Sequence, residues 1–405
     1  MKILLTHRYF WPDSPPYAAI LRVIGEGLAE QGHEVHVFAS MPSYRAEGTA
    51  AKAPKRERMG DLQVRRVWVL PEGSRNPVVR VLNVLIYMVG LFVHILRTRP
   101  DLVTASTFPP LAAGWSASLA ARLIGAKFVY HMMDVHPEVS AHAGSRLGQG
   151  WLFRLQRWID QGTLGRATSA VVLSEDMAET LAARPRGARC PIRVINNFAL
   201  DAFEPALDPP QDLVKDPARI RVIFAGNLGR FQDLPLLADG IALLFERYPA
   251  LEVFFLGDGV ALPGLKDRWE DHPQVRFGPF LPFAQAKSLI AEADLGLVSL
   301  TPGVYRVAYP SKMLTYLGLG VPVLALVEPE SALARSIADH GLGAVPAART
   351  PEAIAAALDP LIADTAALAR TRDQVQAYAK AEVDRTAILS QWQSLLEDIT
   401  KGGDA

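Results

Sequence analysis

The chain has 405 residues, 50% of them hydrophobic and 21% charged. That is globular composition for two or three domains and excludes a disordered chain. Lys+Arg and Asp+Glu both total 42, so a net charge of zero gives no electrostatic footprint for nucleic acid. Cys190 is the only cysteine, which rules out an intrachain disulfide and reads as a small buried side chain in a reducing, cytoplasmic setting.

The opening run Ile3–Leu5 is too short for a secretion signal and reads as a buried strand within Met1–Thr6. Ile20, Val23, Ile24 and Leu28 then recur at helical spacing, and Gly32-His33-Glu34 turns the chain into a strand at Val35–Ala39. Further strands are expected at Gln63–Val69, Leu102–Ala105, Lys127–His131, Ala170–Leu173 and Ile192–Ile195. Helical periodicity fills Leu111–Leu123 and Trp151–Thr163. Alternating short apolar strands and amphipathic helices predict an α/β fold with parallel sheets covered on both faces.

The stretch 201–217, DAFEPALDPPQDLVKDP, has no sustained period and reads as a linker. The alternation restarts with strands at Ile220–Ala225, Leu251–Leu256, Val275–Phe277, Leu295–Ser299 and Val321–Leu326, and a helix near Leu234–Phe245. After Thr365 the pattern is helical, with Tyr378, Ile388, Trp392 and Leu395–Leu396 forming a stripe that needs a covering surface. The expected organisation is a domain over 1–205, a linker over 206–218, a domain over 219–375 and a helical segment over 376–405.

Val81–Leu96 is apolar on nearly all sides. Sixteen helical residues span about 24 Å, short of the roughly 20 residues that cross a bilayer. Around it lie Lys52, Lys55, Arg56, Arg58, Arg65, Arg66, Arg75, Arg80, Arg97 and Arg99 against Glu57, Asp61, Glu72 and Asp101. A basic, apolar segment over 78–99 suits an anionic membrane surface; a buried helix beside a solvated basic loop fits equally.

Three groups of residues carry chemistry. The strand at 220–225 runs into Gly226-Asn227-Leu228-Gly229-Arg230-Phe231-Gln232-Asp233 and then a helix. Glycines there let backbone N–H groups approach an anion at a helix N-terminus, and Arg230 adds a full charge. Tyr309-Pro310-Ser311-Lys312-Met313 opens another helix, with Ser311 as the expected N-cap. Lys312 in the first turn opposes the macrodipole, which suits a shared anionic ligand. His131-Met132-Met133-Asp134-Val135-His136-Pro137-Glu138 follows a strand, where open α/β sheets place ligands. Its imidazoles and carboxylates suit acid/base work or sugar-hydroxyl contacts, and Asp134, His136 and Glu138 are the candidate catalytic residues. No tight metal-ligand spacing is present, so no metal is expected.

Together these motifs resemble the retaining GT-B glycosyltransferases of family four, in the subgroup of colanic-acid type that assembles exopolysaccharide or O-antigen units. The likeness spans nearly the whole chain: Arg8-Tyr9-Phe10-Trp11-Pro12, Gly32-His33-Glu34-Val35, Ser106-Thr107-Phe108-Pro109-Pro110, Asp134 to Glu138, Ser174-Glu175-Asp176-Met177 and Asn196-Asn197-Phe198. Its most specific parts are Gly226-Asn227-Leu228-Gly229 with Gln232, and Pro310-Ser311-Lys312 with Gly320-Val321-Pro322-Val323. The resemblance implies two Rossmann-like domains facing across a cleft, with the C-terminal helix returning to the first. The acceptor then belongs to the first domain and the nucleotide-sugar, a UDP-sugar, to the second. The diphosphate lies over Gly226–Arg230 and the helix at Ser311, with the base near Phe280-Leu281-Pro282 and Gly257-Asp258-Gly259 lining the cleft. No cofactor or metal is implied, because helix dipoles and basic side chains stabilise the leaving diphosphate. The acceptor implied is lipid-linked or a growing polysaccharide, on the inner face of the membrane.

The chain departs from the broad family at several positions. Its two glutamates fall at Val307 and Thr315, the second being the ribose contact. Its histidine falls at Met133, its phosphate-binding Arg and Lys at Asn227 and Gln232, and its Gly-Gly at Pro16-Tyr17. A sugar-nucleotide epimerase and an inactive nucleotide-sugar-binding subunit of a transferase complex stand as the alternatives.

Overall fold

The structure is a computed structural model that describes residues 1–13, 16–42, 53–70, 76–142, 148–200 and 207–401. Lys52, Glu72, Arg75 and the start of the expected linker at 201–206 lie outside the described residues. The chain divides into two compact units. The first comprises Met1–Asn196 with Ile388–Ala405, and the second Asn197–Ala387.

The first unit carries strands β1 (Lys2–Thr6), β2 (Glu34–Ser40), β3 (Arg56–Met59), β4 (Leu62–Val67), β5 (Leu102–Ser106), β6 (Lys127–His131), β7 (Ser169–Val172) and β8 (Ile192–Val194). Their order in the sheet is β3-β4-β2-β1-β5-β6-β7-β8. All neighbours are parallel except the β3–β4 edge, which is antiparallel. Every residue of β5 and β7 is buried, as expected for strands covered on both faces. The sequence pattern missed β3: its alternating charges read as a basic loop, yet Arg56–Met59 pair with Leu62–Arg65 across a two-residue turn. Edge strands tolerate such charge because one side faces water.

The second unit carries β9 (Ile220–Asn227), β10 (Leu251–Asp258), β11 (Val275–Gly278), β12 (Leu295–Ser299), β13 (Val323–Leu326) and β14 (Gly343–Ala344). They form one parallel sheet in the order β11-β10-β9-β12-β13-β14. Alternate residues feed two cores. Ile223, Phe254 and Val298 face one, while Val222, Phe224, Val253 and Phe255 face the other. The sheet is therefore sandwiched between helical layers.

In each sheet the strand order reverses once, between β1 and β5 and between β9 and β12. Ligands of open α/β sheets bind outside the carboxyl ends of the strands at that reversal. The Gly226 turn follows β9, which flanks the reversal, whereas residues 131–138 follow β6, one strand beyond the reversal on the carboxyl edge of its sheet.

The boundaries differ from those read in the sequence. Residues from Asn197 onward belong to the second unit, and the chain returns to the first only at Ile388, not at 376. The reason is local packing. The segment expected as a linker is tied down: Leu213 is buried, Arg221 donates to the carbonyl oxygens of Leu213 (2.8 Å) and Val214 (3.4 Å), and Lys215 pairs with Asp294 at 2.5 Å. Arg221 is itself buried beside Glu252 at 2.6 Å, so its charge is compensated. At the other end, the helix Arg385–Lys401 buries its stripe in the first unit. Leu389 fills the space left by the absent side chain of Gly27, and Trp392 meets His131 edge-on at 4.9 Å.

The apolar segment near residue 80 forms one helix, Pro77–Thr98, of 22 residues rather than sixteen. Asn76 caps it: its side chain accepts from the amide of Val78, and Pro77 sits at the first helical position.

Candidate active site

In the second unit, β9 ends at a glycine-dependent turn. Gly226 has φ +107° and Gly257, its neighbour on β10, has φ +141°. A Cβ on Gly257 would lie 1.9 Å from the Gly226 oxygen, so only glycine lets the two strand ends approach. The turn is held by its own side chains: the Gly229 amide donates to the Gln232 Oε1 at 2.5 Å, with the Asn227 amide packed beside Gly229. The Leu228 amide donates to the Asp258 oxygen at 2.9 Å, and Asp233 accepts from Arg349 at 3.0 Å. Arg230 is exposed and has no carboxylate partner among the described residues.

The helix Ser311–Gly318 stands beside this turn. The sequence suggested Ser311 as its N-cap; the structure places Pro310 there, with Ser311 as the first helical residue and exposed. No side chain caps the helix. Proline has no N–H and brings a preset φ, so it opens the helix without occupying the amides that follow. Lys312 folds back over the turn. Its Nζ is 3.4 Å from the Asn227 carbonyl oxygen and 4.7 Å from the Phe224 ring centre, and its Cε lies against Gly226. It has no carboxylate partner among the described residues, and burial lowers its ammonium to about 8. An uncompensated cation, an uncapped helix N-terminus and a glycine turn thus converge on one place, as an anionic ligand requires.

Sequence reasoning missed what fixes that helix. The hydroxyl of buried Tyr316 donates to the Ile223 oxygen at 3.2 Å and accepts from the Ala225 amide at 3.1 Å, both on β9. Its ring lies on Gly296 of β12, where a Cβ would come within 2.5 Å. The residue is four positions after Lys312, so the one-turn spacing was the available signal. Thr315, one turn beyond Ser311, is half-buried; Gly257 is fully buried, Leu281 packs on the core, and Phe280 is exposed after β11. Glu328, beyond β13, was also passed over. One of its oxygens accepts from the Gly303 amide at 2.6 Å, and the other is buried without a protein donor.

In the first unit the structure separates the residues of 131–138. His131 is buried, shares a 2.7 Å hydrogen bond with the Tyr17 hydroxyl, and burial depresses its imidazole to about 3. It is a neutral core group, not an exposed base. Asp134 follows a bend where the Thr107 hydroxyl accepts from the amides of Met133 (3.2 Å) and Asp134 (3.4 Å). Its carboxylate has no partner among the described residues, and burial raises it to about 6. Burial, then nearby Arg184, lowers His136 to about 4. Glu138 is committed elsewhere: it pairs with Arg184 and lies 3.7 Å from Arg157. Arg184, fully buried, also binds Asp160 and the His136 carbonyl oxygen (2.8 Å). Asp160 in turn accepts from Tyr130 at 2.8 Å. Glu138 therefore anchors the segment, which leaves Asp134 and His136 available to a ligand. Among the described residues no group of three or more His, Cys, Asp or Glu side chains is placed to hold a metal ion.

Residues 17–197 match the family described as "Glycosyl transferase 4-like domain", and residues 219–364 match "Glycosyl transferases group 1". Together the two glycosyltransferase matches cover most of the chain, and its fold is that of the GT-B glycosyltransferases. The "Probable glycosyltransferase WbjE" of Pseudomonas aeruginosa is 28% identical to this GT-B chain over 65% of its length and 66% of the relative's, just under two thirds. The "Putative colanic acid biosynthesis glycosyl transferase WcaI" of Escherichia coli K12 is 23% identical over 79% and 82%. Among solved structures, HepE of Anabaena, in complex with UDP, superposes with a TM-score of 0.67 over 98% of this chain and 100% of that one, at 18% identity. That likeness shows the shared GT-B fold.

Proposed function

We propose that this GT-B protein transfers a sugar with retention from a nucleotide-sugar, a UDP-sugar, to a lipid-linked or growing polysaccharide acceptor. The setting is cell-surface polysaccharide synthesis, at the cytoplasmic face of the membrane. The observation that carries the reading is the unpaired Lys312 folded over the Gly226 turn at an uncapped helix N-terminus. The UDP bound by HepE and the polysaccharide role named for WcaI support the donor class and the setting.

In this reading the second unit holds the donor. The diphosphate lies on the amides of the 226–230 turn and the first turn of helix Ser311–Gly318. Lys312 and Arg230 offset its charge, which grows as the bond from the anomeric carbon to the diphosphate oxygen breaks. Phe280 and Leu281 take the base, Thr315 stands where the ribose falls, and Glu328 offers one free oxygen to a hydroxyl. The first unit holds the acceptor, with Asp134 and His136 facing its hydroxyl. The charge set comes from the chain itself, with no metal or cofactor in the scheme.

The test is turnover on a panel of nucleotide sugars with isoprenoid-diphosphate-linked sugar acceptors. Released nucleoside diphosphate and the anomeric configuration of the product are followed by NMR. A UDP-sugar should give a product with the donor's anomeric configuration. An inverted product would refute retention, and release of a free epimerised sugar nucleotide would favour an epimerase.

A further inference from the structure

Helices Pro77–Thr98, Ala112–Ile124 and Gly150–Leu164 of the first unit lie side by side. The Ser116 hydroxyl donates to the Met88 oxygen at 2.8 Å, Gly114 abuts Thr163, and Arg166 donates to the Ser118 hydroxyl at 3.0 Å. Their outer surfaces are apolar to an extent unusual for a surface facing water. On the first helix Val78, Val81, Leu82, Leu85 and Val89 form one exposed stripe. Only 28% of its most apolar eighteen-residue window is buried, whereas a core helix would be mostly covered. On the third helix Trp151, Leu155 and Trp158 form a second stripe, the tryptophans 67% and 69% exposed. Trp115 and Leu123 add exposed apolar surface between them.

The charge on this face is of one sign. The first two helices contain no acidic residue, and the only one in the third, Asp160, is buried against Arg184. Arg80, Arg97, Arg122 and Arg154 are exposed on the three helices. At the end of the middle helix a groove is lined by Arg122, Arg166, Arg186 and Arg189, with no acidic residue among its lining groups. One guanidinium nitrogen of Arg166 is buried there without a protein acceptor.

We propose that this three-helix face seats the protein on an anionic phospholipid surface, with lipid phosphates taken by the four-arginine groove. Tryptophan and aliphatic side chains enter the headgroup boundary, and arginines meet the negative leaflet. The helix Pro77–Thr98 lies on the bilayer and does not cross it. Its opposite side is fastened to the sheet by buried Tyr87, Leu91 and Ile95, and Asn83 bonds both backbone groups of Leu70. The third helix links the surface to the candidate acceptor residues, because its inner side supplies Asp160 to Arg184 and Arg157 to Glu138. The inference extends the transferase reading to where the enzyme works, and rests on that reading only for the choice of acceptor.

The experiment is co-sedimentation of the full chain with phosphatidylglycerol-containing and pure phosphatidylcholine vesicles, with UDP affinity measured on every preparation. The variants are W151S/W158S and R186S/R189S, exposed substitutions that leave the cores intact. The unaltered chain should bind the anionic vesicles at least tenfold more tightly than the neutral ones. Each variant should lose at least tenfold, and free inorganic phosphate should compete only weakly. Absence of vesicle binding, equal binding to both lipids, unchanged binding in both variants, or a dimer that dissociates in W151S/W158S would each overturn the proposal. Loss of UDP binding with vesicle binding intact would instead count against the donor site alone.

Discussion

At the scale of single residues, burial decides which polar groups serve the fold and which remain for ligands. Arg184 lies outside every motif that drew attention in the sequence, yet it holds Asp160, Glu138 and the His136 carbonyl together. Motif spacing made Glu138 a candidate catalyst; the arginine that claims it comes from a distant helix end, and no local pattern announces such a partner. Removing Arg184 leaves Asp160 as an uncompensated buried charge. Arg184→Leu should therefore destabilise the first unit by about 3 kcal/mol or more. The double variant Asp160→Asn with Arg184→Leu should recover part of that loss, because the stranded charge is gone. Urea unfolding followed in the first unit checks both, and equal stability of the single variant and the unaltered chain would remove the arginine from its structural role. Lys312 is the opposite case, a half-buried cation that the fold leaves without a carboxylate.

At the scale of elements, the sequence was legible where one rule governs. Buried parallel strands announced themselves as apolar runs, and twelve of the fourteen strands among the described residues match expected positions to within a few residues. β3 and β14 were missed, one for its charge and the other for its two-residue length. The helix Ser311–Gly318 was legible too, but its anchoring was not, since Tyr316 reads as another apolar-phase residue until its hydroxyl is seen bridging Ile223 and Ala225. Tyr316→Phe strands an amide and a carbonyl in the core, which costs about 1–3 kcal/mol. Because the same contacts position the anion-binding end of the helix, nucleotide affinity should fall several-fold alongside the loss of stability. Calorimetry on the purified variant reads both, and a variant with native affinity would show that the helix is held by its apolar packing alone.

At the scale of the whole molecule, two units of related topology were foreseen, but their borders were not. Composition marked 201–217 as a linker, and buried Arg221 instead draws the carbonyls of Leu213 and Val214 against the second unit. The units should also differ in their response to acid. Burial pushes His7 down to about 4, His94 to about 4 and His131 to about 3, all in the first unit. In the unfolded chain these imidazoles titrate near 6.5. The unfolded state therefore takes up their protons first as pH falls. Stability is full above about pH 6.5 and declines toward pH 4, by about 1 kcal/mol per histidine for each pH unit. The melting temperature of the first unit should drop steadily between pH 6.5 and 4.5; a flat profile would show that these histidines are not neutral in the folded state. UDP binding by titration calorimetry from pH 7 to 9.5 tests most directly whether the Gly226 turn and Lys312 bind the donor diphosphate. The unaltered chain should bind UDP and weaken as pH rises through about 8, where Lys312 loses its proton, while Lys312→Ala binds at least tenfold more weakly with a flat pH profile. Equal affinity in the two proteins, or no UDP bound by a folded sample, would contradict the account.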